Sequence, residues 1–308
     1  MLSRVAESVF WMARYMERSN SLLRLLRTYY IASQDDMQDL DWQLLLRTYS
    51  SNGQQLSNTF PNAILQHLIF DRENDASVIS NIARARENAR AVQDNMAKEV
   101  WQCLNDYYHL IRDPQLCKYL DSGDPVTMLD ILIREAMLYY GTVDTMMARG
   151  EGFNFLNIGK FLERAAQTTY ALQMKLFTGY EMTVPSEATS WRYVLYSLSG
   201  YQLYIKTHRG NIQPQLVAQH ALLNADFPHS VFYCIKQINR YFQRLKSDSP
   251  EESFQKIDFI IGKTLNMVRY NEMNTFNQAQ LSAFLYQIQI ELANIASGLN
   301  EYYFGSNY

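Results

Sequence analysis

The chain has 308 residues, of which 47% are hydrophobic and 19% charged, a composition that excludes an intrinsically disordered protein and predicts a substantial core. Its 28 Lys and Arg residues against 31 Asp and Glu residues give a net charge of −3 without long runs of one sign, so no nucleic-acid-binding stripe is predicted. The 3 cysteines lack Cys-x-x-Cys spacing, which indicates neither a disulfide framework nor a cysteine metal site and favours a cytoplasmic protein.

The opening segment is the clearest predicted helix, because Val5, Val9, Met12 and Met16 follow one another at helical spacing. Charged residues interrupt this apolar pattern, so neither a signal peptide nor a membrane span is predicted there, and no later run reaches about 18 consecutive apolar residues. Further helices are predicted near 40–50, 76–110, 125–149, 153–177, 189–208, 214–222, 228–247, 251–270 and 277–304. Breaks are predicted at 51–53, 113–114, 121–125, 150–152, 184–186 and 249–250.

An internal repeat accompanies these helices. The segment Tyr15–Arg18 aligns with Phe161–Arg164, Trp42 aligns with Trp191, and the segment around His67 aligns with that around His220. The order is kept and the offset only grows, as small loop insertions would produce. The predicted fold is therefore all-α, a large helical bundle built by internal duplication of two related helical halves, 1–150 and 151–308, packed as one unit.

Two Glu-Arg pairs occupy equivalent places in these halves, Glu17-Arg18 and Glu163-Arg164. At about 100° per residue, each acid lies at the edge of the apolar arc and each arginine projects away from it, Arg18 beside Arg14. One interpretation is a partly buried ion pair that fixes helix register. The other is a binding site in which the arginine grips an anionic or carboxamide group, while the glutamate orients the arginine or acts as a catalytic base.

A second charged segment extends from residue 83 to 94. Its spacing predicts a ladder of ion pairs on one helix, with Glu87 reaching Arg84 and Arg90, and Arg90 reaching Asp94. The alternatives are a solvated, salt-bridged face and a ligand-binding face on which small alanines leave room around the guanidinium groups. The candidate binding residues of this segment are Arg84, Arg86, Glu87, Asn88, Arg90 and Asp94.

Other chemistry finds little support in the sequence. None of the 5 histidines stands three residues after a Glu, the spacing that di-iron bundles need, and His67 and His220 are interpreted as satisfied helix-end residues rather than ligands. Nucleotide-binding and serine-hydrolase motifs are absent from the sequence. No metal, no cofactor and no self-sufficient catalytic motif is predicted.

A set of short segments along the whole chain is characteristic in combination. These segments are Met1–Ser8, Phe10-Trp11, Arg14-Tyr15, Glu17-Arg18, Ala85–Arg90, Trp101, Asn105, Thr145-Met146, Phe155-Leu156, Leu162–Arg164, Trp191, Ser197–Ser199, Phe227-Pro228, Ser230-Val231 and Tyr303-Phe304. In these segments the sequence resembles the α-E family, bacterial all-helical proteins defined by a recurring Glu-Arg motif. Lys160 and His229 depart from the resemblance, since they stand where the family has arginine.

The resemblance implies partners rather than a reaction: a circularly permuted ATP-grasp ligase and, with it, a transglutaminase-like peptidase. The leading hypothesis is an accessory subunit of a peptide-modifying amide ligase system, with a polar groove for a peptide or acyl intermediate. The competing hypotheses are an enzyme that uses Glu17 or Glu163 as general base, and a scaffold in which these residues are core ion pairs. The residues of the proposed groove are Glu17, Arg18, Glu87, Arg90, Glu163 and Arg164.

Overall fold

The structure is a computed structural model that describes residues 3–34, 41–50, 60–177, 188–246, 251–271 and 276–305. Within these ranges the chain is all-α, and none of the described residues forms a strand. The α-helices are α1 (Ser3–Gln34), α2 (Trp42–Tyr49), α3 (Pro61–Phe70), α4 (Val78–Ala91), α5 (Lys98–Ile111), α6 (Pro114–Asp121), α7 (Pro125–Met146), α8 (Glu151–Phe177), α9 (Ala188–Ser197), α10 (Tyr201–His208), α11 (Pro214–Leu223), α12 (Val231–Gln243), α13 (Glu251–Arg269) and α14 (Gln278–Leu299).

Short polar segments begin several of these helices. The carboxylates of Asp113 and Asp124 accept hydrogen bonds from the first-turn amides of α6 and α7, and proline occupies the first position of each helix. Proline costs nothing at that position because its missing N–H would have no partner there. The breaks predicted at 113–114 and 121–125 are thus real boundaries between helices.

The chain divides into two compact units. The N-unit is residues 11–148, in which α5 packs against both α4 and α7 around buried side chains such as Leu104 and Leu132. The C-unit is residues 1–10 with 149–308, in which α8 packs against α12 and α14, and α13 packs against the same two helices. In the C-unit the ring of Phe10 is buried and lies 5.3 Å from the ring of Phe304.

The predicted helices are corrected in two ways. The helix predicted over 76–110 is two helices, α4 and α5, separated by a short 3₁₀ turn at Gln93–Asn95, and the one predicted over 189–208 is also two, α9 and α10. Helices α3 and α6 were not predicted, although each begins with a proline, which is typical of the first position of a helix. The breaks predicted at 51–53, 184–186 and 249–250 lie outside the described residues, and the internal duplication stays a prediction.

Candidate functional site

The side chain of Glu17 lies in the interior of the N-unit. Its relative exposure is 0%, and the hydroxyl of Tyr140 on α7 donates a hydrogen bond of 2.6 Å to its Oε2 atom. Its neighbours on α1, Ala13 and Met16, are buried as well. The acid predicted at the edge of the apolar arc is therefore fully inside the core, where α7 supplies a donor.

Glu163 has the same status in the C-unit. It is 1% exposed, and the side-chain amide of Gln167, one turn further along α8, donates a hydrogen bond of 2.9 Å to its Oε1 atom. Both candidate catalytic acids are thus core residues held by polar neighbours. In this arrangement their carboxylates fix side chains and helices rather than line an open surface.

The arginines of the two pairs point away from the cores onto aromatic rings. The guanidinium carbon of Arg18 lies 5.8 Å from the centre of the Tyr15 ring, and that of Arg14 lies 4.6 Å from Trp11. In the C-unit, Arg164 lies 5.4 Å from the Phe161 ring, and its Nη1 atom donates to the backbone carbonyl of a loop residue at 3.4 Å. In each pair, therefore, the acid is internal and the arginine lies at the rim of its unit.

The ladder predicted on α4 is only partly present. Glu87 pairs with Arg86 at 2.8 Å and with Arg90 at 3.7 Å. Arg84 turns away from Glu87 and pairs with Asp75 instead. No ion pair joins Arg90 to Asp94 within the part of the chain that the structure describes, because α4 ends at Ala91 and Asp94 lies in the 3₁₀ turn beyond it.

Arg86 connects α4 to α5. Its Nε atom donates to the Oδ1 atom of Asn105 at 2.8 Å, and its guanidinium carbon lies 5.4 Å from the Trp101 ring and 4.6 Å from the Tyr108 ring. The amide of Asn88, another predicted binding residue, donates to the carbonyl of Arg84 at 3.0 Å. Arg86 thus holds two helices together, while Asn88 is occupied by its own helix.

An open cleft of about 300 Å³ lies in the N-unit, at the start of α4 and the end of α5. We call it the arginine cleft. Its charged residues are Arg72, Asp75, Arg84 and Arg112, and Ile79, Ser80, Ala83 and Tyr108 complete its lining.

The three arginines of the cleft differ in how they are held. Arg84 donates to the backbone carbonyl of Asp75 at 2.9 Å and also pairs with its carboxylate. Arg112 donates to the hydroxyl of Tyr108 at 2.7 Å and lies over that ring. Among the described residues, none pairs with the side chain of Arg72. Three guanidinium groups against one carboxylate leave the cleft with a net charge of +2.

The sequence identified only one of the four charged residues in this cleft, Arg84. Arg72 and Asp75 belong to the loop between α3 and α4, and Arg112 caps the end of α5, so their proximity depends on the packing of α4 against α5. One signal was available: the N-cap residue Ser77, which begins α4, places the preceding loop at that helix's N-terminus.

The two histidines that the predicted repeat aligns, His67 and His220, are both buried, but their surroundings differ. The ring nitrogens of His67 lie 3.0 Å from the Ser50 hydroxyl and 2.8 Å from the Asp71 carboxylate. His220 lies 3.2 Å from the Asn224 amide through Nδ1, and its Nε2 atom has no hydrogen-bond partner among the described residues. Burial, together with the nearby ring of His208, lowers the pKa of His220 to about 4.

None of the described helices combines the length and the apolar character needed to cross a membrane. Nor do three His, Cys, Asp or Glu side chains come together within those residues in a way that would hold a metal ion.

Comparison with known proteins finds relatives along nearly the whole chain. The sequence model of the Alpha-E family, described as a predicted alpha-helical domain with a conserved ER motif, matches residues 1–304. Uncharacterized proteins of Mycobacterium bovis and of two strains of Mycobacterium tuberculosis are each 21% identical over 323 residues, which cover 96% of this chain and 36% of theirs. The chain thus spans about a third of the length of the curated relatives it matches. No solved structure matches it.

Proposed function

This chain belongs to the Alpha-E family, and from that premise we propose that it is an accessory subunit of a peptide-modifying amide ligase system whose ATP-grasp enzyme is its partner. A transglutaminase-like peptidase is the second partner that the family resemblance suggests. In this role the protein binds the ligase and presents the peptide or acyl intermediate, while the partner supplies the chemistry of activation.

A surface of arginines and aromatic rings on the N-unit is the observation that carries this proposal. Both Arg18 and Arg84 lie over the Tyr15 ring, at 5.8 and 5.9 Å, and further pairs of the same kind flank them. We call this the arginine–aromatic surface: Trp11, Arg14, Tyr15, Arg18, Arg84, Arg86 and Trp101, all of which are partly exposed.

These residue types suit a protein partner. Arginine, tyrosine and tryptophan are enriched among residues that dominate binding energies, because a rigid ring buries a large area at little entropic cost. The planar guanidinium group also matches a carboxylate through two parallel N–H donors. The expected partner surface is therefore acidic, with apolar side chains between its carboxylates.

The burial of the two glutamates supports an accessory role over an enzymatic one. A general base has to come within hydrogen-bond distance of the proton that it removes. Glu17 is 0% exposed and Glu163 is 1% exposed, so neither carboxylate meets a substrate at the surface. Their hydrogen bonds to Tyr140 and Gln167 instead support a role in fixing the two cores.

Co-expression with the ATP-grasp protein, followed by gel filtration, tests the proposal. We expect the pair to elute as one complex, and we expect it to separate when Arg14→Glu and Arg18→Glu are combined, because both changes place negative charge opposite an acidic partner. The matched control is Arg134→Glu on α7, an exposed arginine outside the arginine–aromatic surface, which should leave the complex intact.

Separate elution of the wild-type proteins would contradict the partner hypothesis. A complex that survives the double charge reversal would place the interface elsewhere on the chain. The enzyme hypothesis has its own signature: Glu17→Gln would abolish product formation in the presence of the ligase while leaving the melting temperature unchanged.

A further inference from the structure

We propose that the arginine cleft binds a doubly charged oxyanion, either a phosphoryl group or a pair of carboxylates. Such binding is a property of this chain alone, so it is tested without the partner proteins proposed above. The charge, the unused donors and the shape of the cleft support it.

The cleft is positively charged, whereas the protein as a whole is negatively charged. The whole chain carries a net charge of −3, whereas the cleft concentrates Arg72, Arg84 and Arg112 around one carboxylate, for a net charge of +2. Like charges brought together raise the free energy of a folded protein unless something neutralises them. A dianion neutralises the charge of +2, whereas a single carboxylate leaves a charge of +1.

The donors in the cleft are only partly used. Arg84 is committed to Asp75 through two of its nitrogens, and Arg112 donates one bond to Tyr108. The guanidinium group of Arg72 is unpaired among the described residues, and a guanidinium group offers five N–H donors in a fixed plane. Arg72 and Arg112 are therefore the residues that grip the ligand, while Arg84 adds charge behind them.

The start of α4 adds to the same field. Ile79 and Ser80 lie in the first turn of this 14-residue helix, and Ala83 lies in the turn that follows. The N-terminus of a helix carries a partial positive charge, which favours anions within the first turn. Ala83, whose side chain is a single methyl group, leaves space in the cleft beside Arg84.

The volume of the cleft also suits such a ligand. About 300 Å³ corresponds to roughly ten water molecules in the liquid, which is more than one oxyanion needs. The remaining space, lined by Ile79 and the Tyr108 ring, accommodates the group that carries the anion. The ligand is thus expected to be part of a larger molecule rather than a free ion.

Asp75 acts as an internal competitor at this site. Its carboxylate already occupies Arg84, so it lowers the positive charge available to an incoming anion. Removing that charge with Asp75→Asn raises the net charge of the cleft to +3, and the backbone carbonyl that holds Arg84 remains. We therefore expect the variant to bind a dianion several times more tightly than the wild type.

Calorimetric titration of the full chain at low ionic strength tests the proposal, with inorganic phosphate, succinate and acetate as probes. We expect saturable binding of phosphate or succinate and at least about tenfold weaker binding of the monoanion acetate. Preference for phosphate identifies a phosphoryl group, and preference for succinate identifies paired carboxylates. Either Arg72→Gln or Arg112→Gln should weaken binding of the preferred probe about tenfold.

Arg90→Gln is the matched control, because Arg90 is exposed on the same helix and pairs with Glu87 outside the cleft. This variant should bind as the wild type does. Equal weakening by Arg90→Gln and Arg72→Gln would mean that only diffuse surface charge is involved. Three results would each overturn the proposal: no saturable binding, binding of acetate as tight as that of the dianions, or unchanged binding by Asp75→Asn. Arg72 and Arg112 are exposed, so we expect their variants to keep the fold.

Discussion

The two buried glutamates place polar groups where water cannot solvate them. Transfer of a carboxylate into a protein interior costs several kcal/mol unless hydrogen-bond donors replace water. The Tyr140 hydroxyl performs this task for Glu17, and the Gln167 amide performs it for Glu163. Because the first of these donors comes from α7, Glu17 also specifies how α7 lies against α1.

His220 gives the C-unit a dependence on pH. Its pKa is lowered from 6.5 to about 4 by burial and by the neighbouring His208, so the folded state holds the neutral ring. Below pH 6.5 the unfolded chain gains a proton that the folded chain does not. The free energy of unfolding is therefore unaffected by the protonation of His220 above pH 6.5. It falls by up to about 3 kcal/mol as the pH decreases from 6.5 towards 4.

Urea unfolding at pH 7 and pH 5 measures this effect. We expect His220→Gln to be less sensitive than the wild type to the change in pH. The exposed residue His109, at the end of α5, provides the control, since His109→Gln should leave the pH dependence unchanged. Equal sensitivity of the wild type and His220→Gln would mean that other groups cause the loss.

The long helices were accessible to sequence reasoning, and the placement of side chains across helices was not. Helices α7, α8 and α14 follow from periodicity and their boundary residues because they span many turns. The gap between α4 and α5 contains neither Gly nor Pro, so no local signal revealed it. The arginine cleft depends on this gap. The chain turns back there, so that Arg112 at the end of α5 lies near the loop that precedes α4.

Close packing of α8 depends on a glycine. A Cβ atom added at Gly159 would lie 2.4 Å from the backbone carbonyl oxygen of Phe10, so the chain at that point admits no larger residue. Although alanine favours a helix by about 1 kcal/mol over glycine, we expect Gly159→Ala to destabilise the protein by about 1–3 kcal/mol, because backbone has to move. Chemical denaturation measures the change.

Gly141 on α7 is the matched control. A Cβ atom added there meets nothing within 4 Å, so Gly141→Ala should stabilise the protein by up to about 1 kcal/mol through helix propensity alone. If both substitutions stabilised the protein, the close approach at Gly159 would be wrong.

At the scale of the whole molecule, α1 contributes to both units. It is one helix, Ser3–Gln34, whose residues up to Phe10 belong to the C-unit and whose residues from Trp11 belong to the N-unit. The halves predicted from the sequence, 1–150 and 151–308, assign these ten residues to the first half. A repeat in sequence would not determine which elements pack together, so the duplication stays a prediction beside the observed division into units.

Phe10→Ala tests the assignment of the first residues to the C-unit. The side chain is fully buried and contacts the Phe304 ring, so its removal should cost about 3–5 kcal/mol. Hydrogen exchange followed by mass spectrometry should show the largest loss of protection in α8 and α14. Loss confined to α4 and α5 would contradict the assignment.

The contact between Phe10 and Phe304 also orders events during synthesis. About 300 residues separate the two rings, and a ribosome adds roughly 5–20 residues per second, so Phe10 waits roughly 15–60 s for its neighbour to be made. All residues of the N-unit are made during the first half of that interval. Phe10 is therefore made before the N-unit, whereas the ring that packs against it in the C-unit is made after the N-unit.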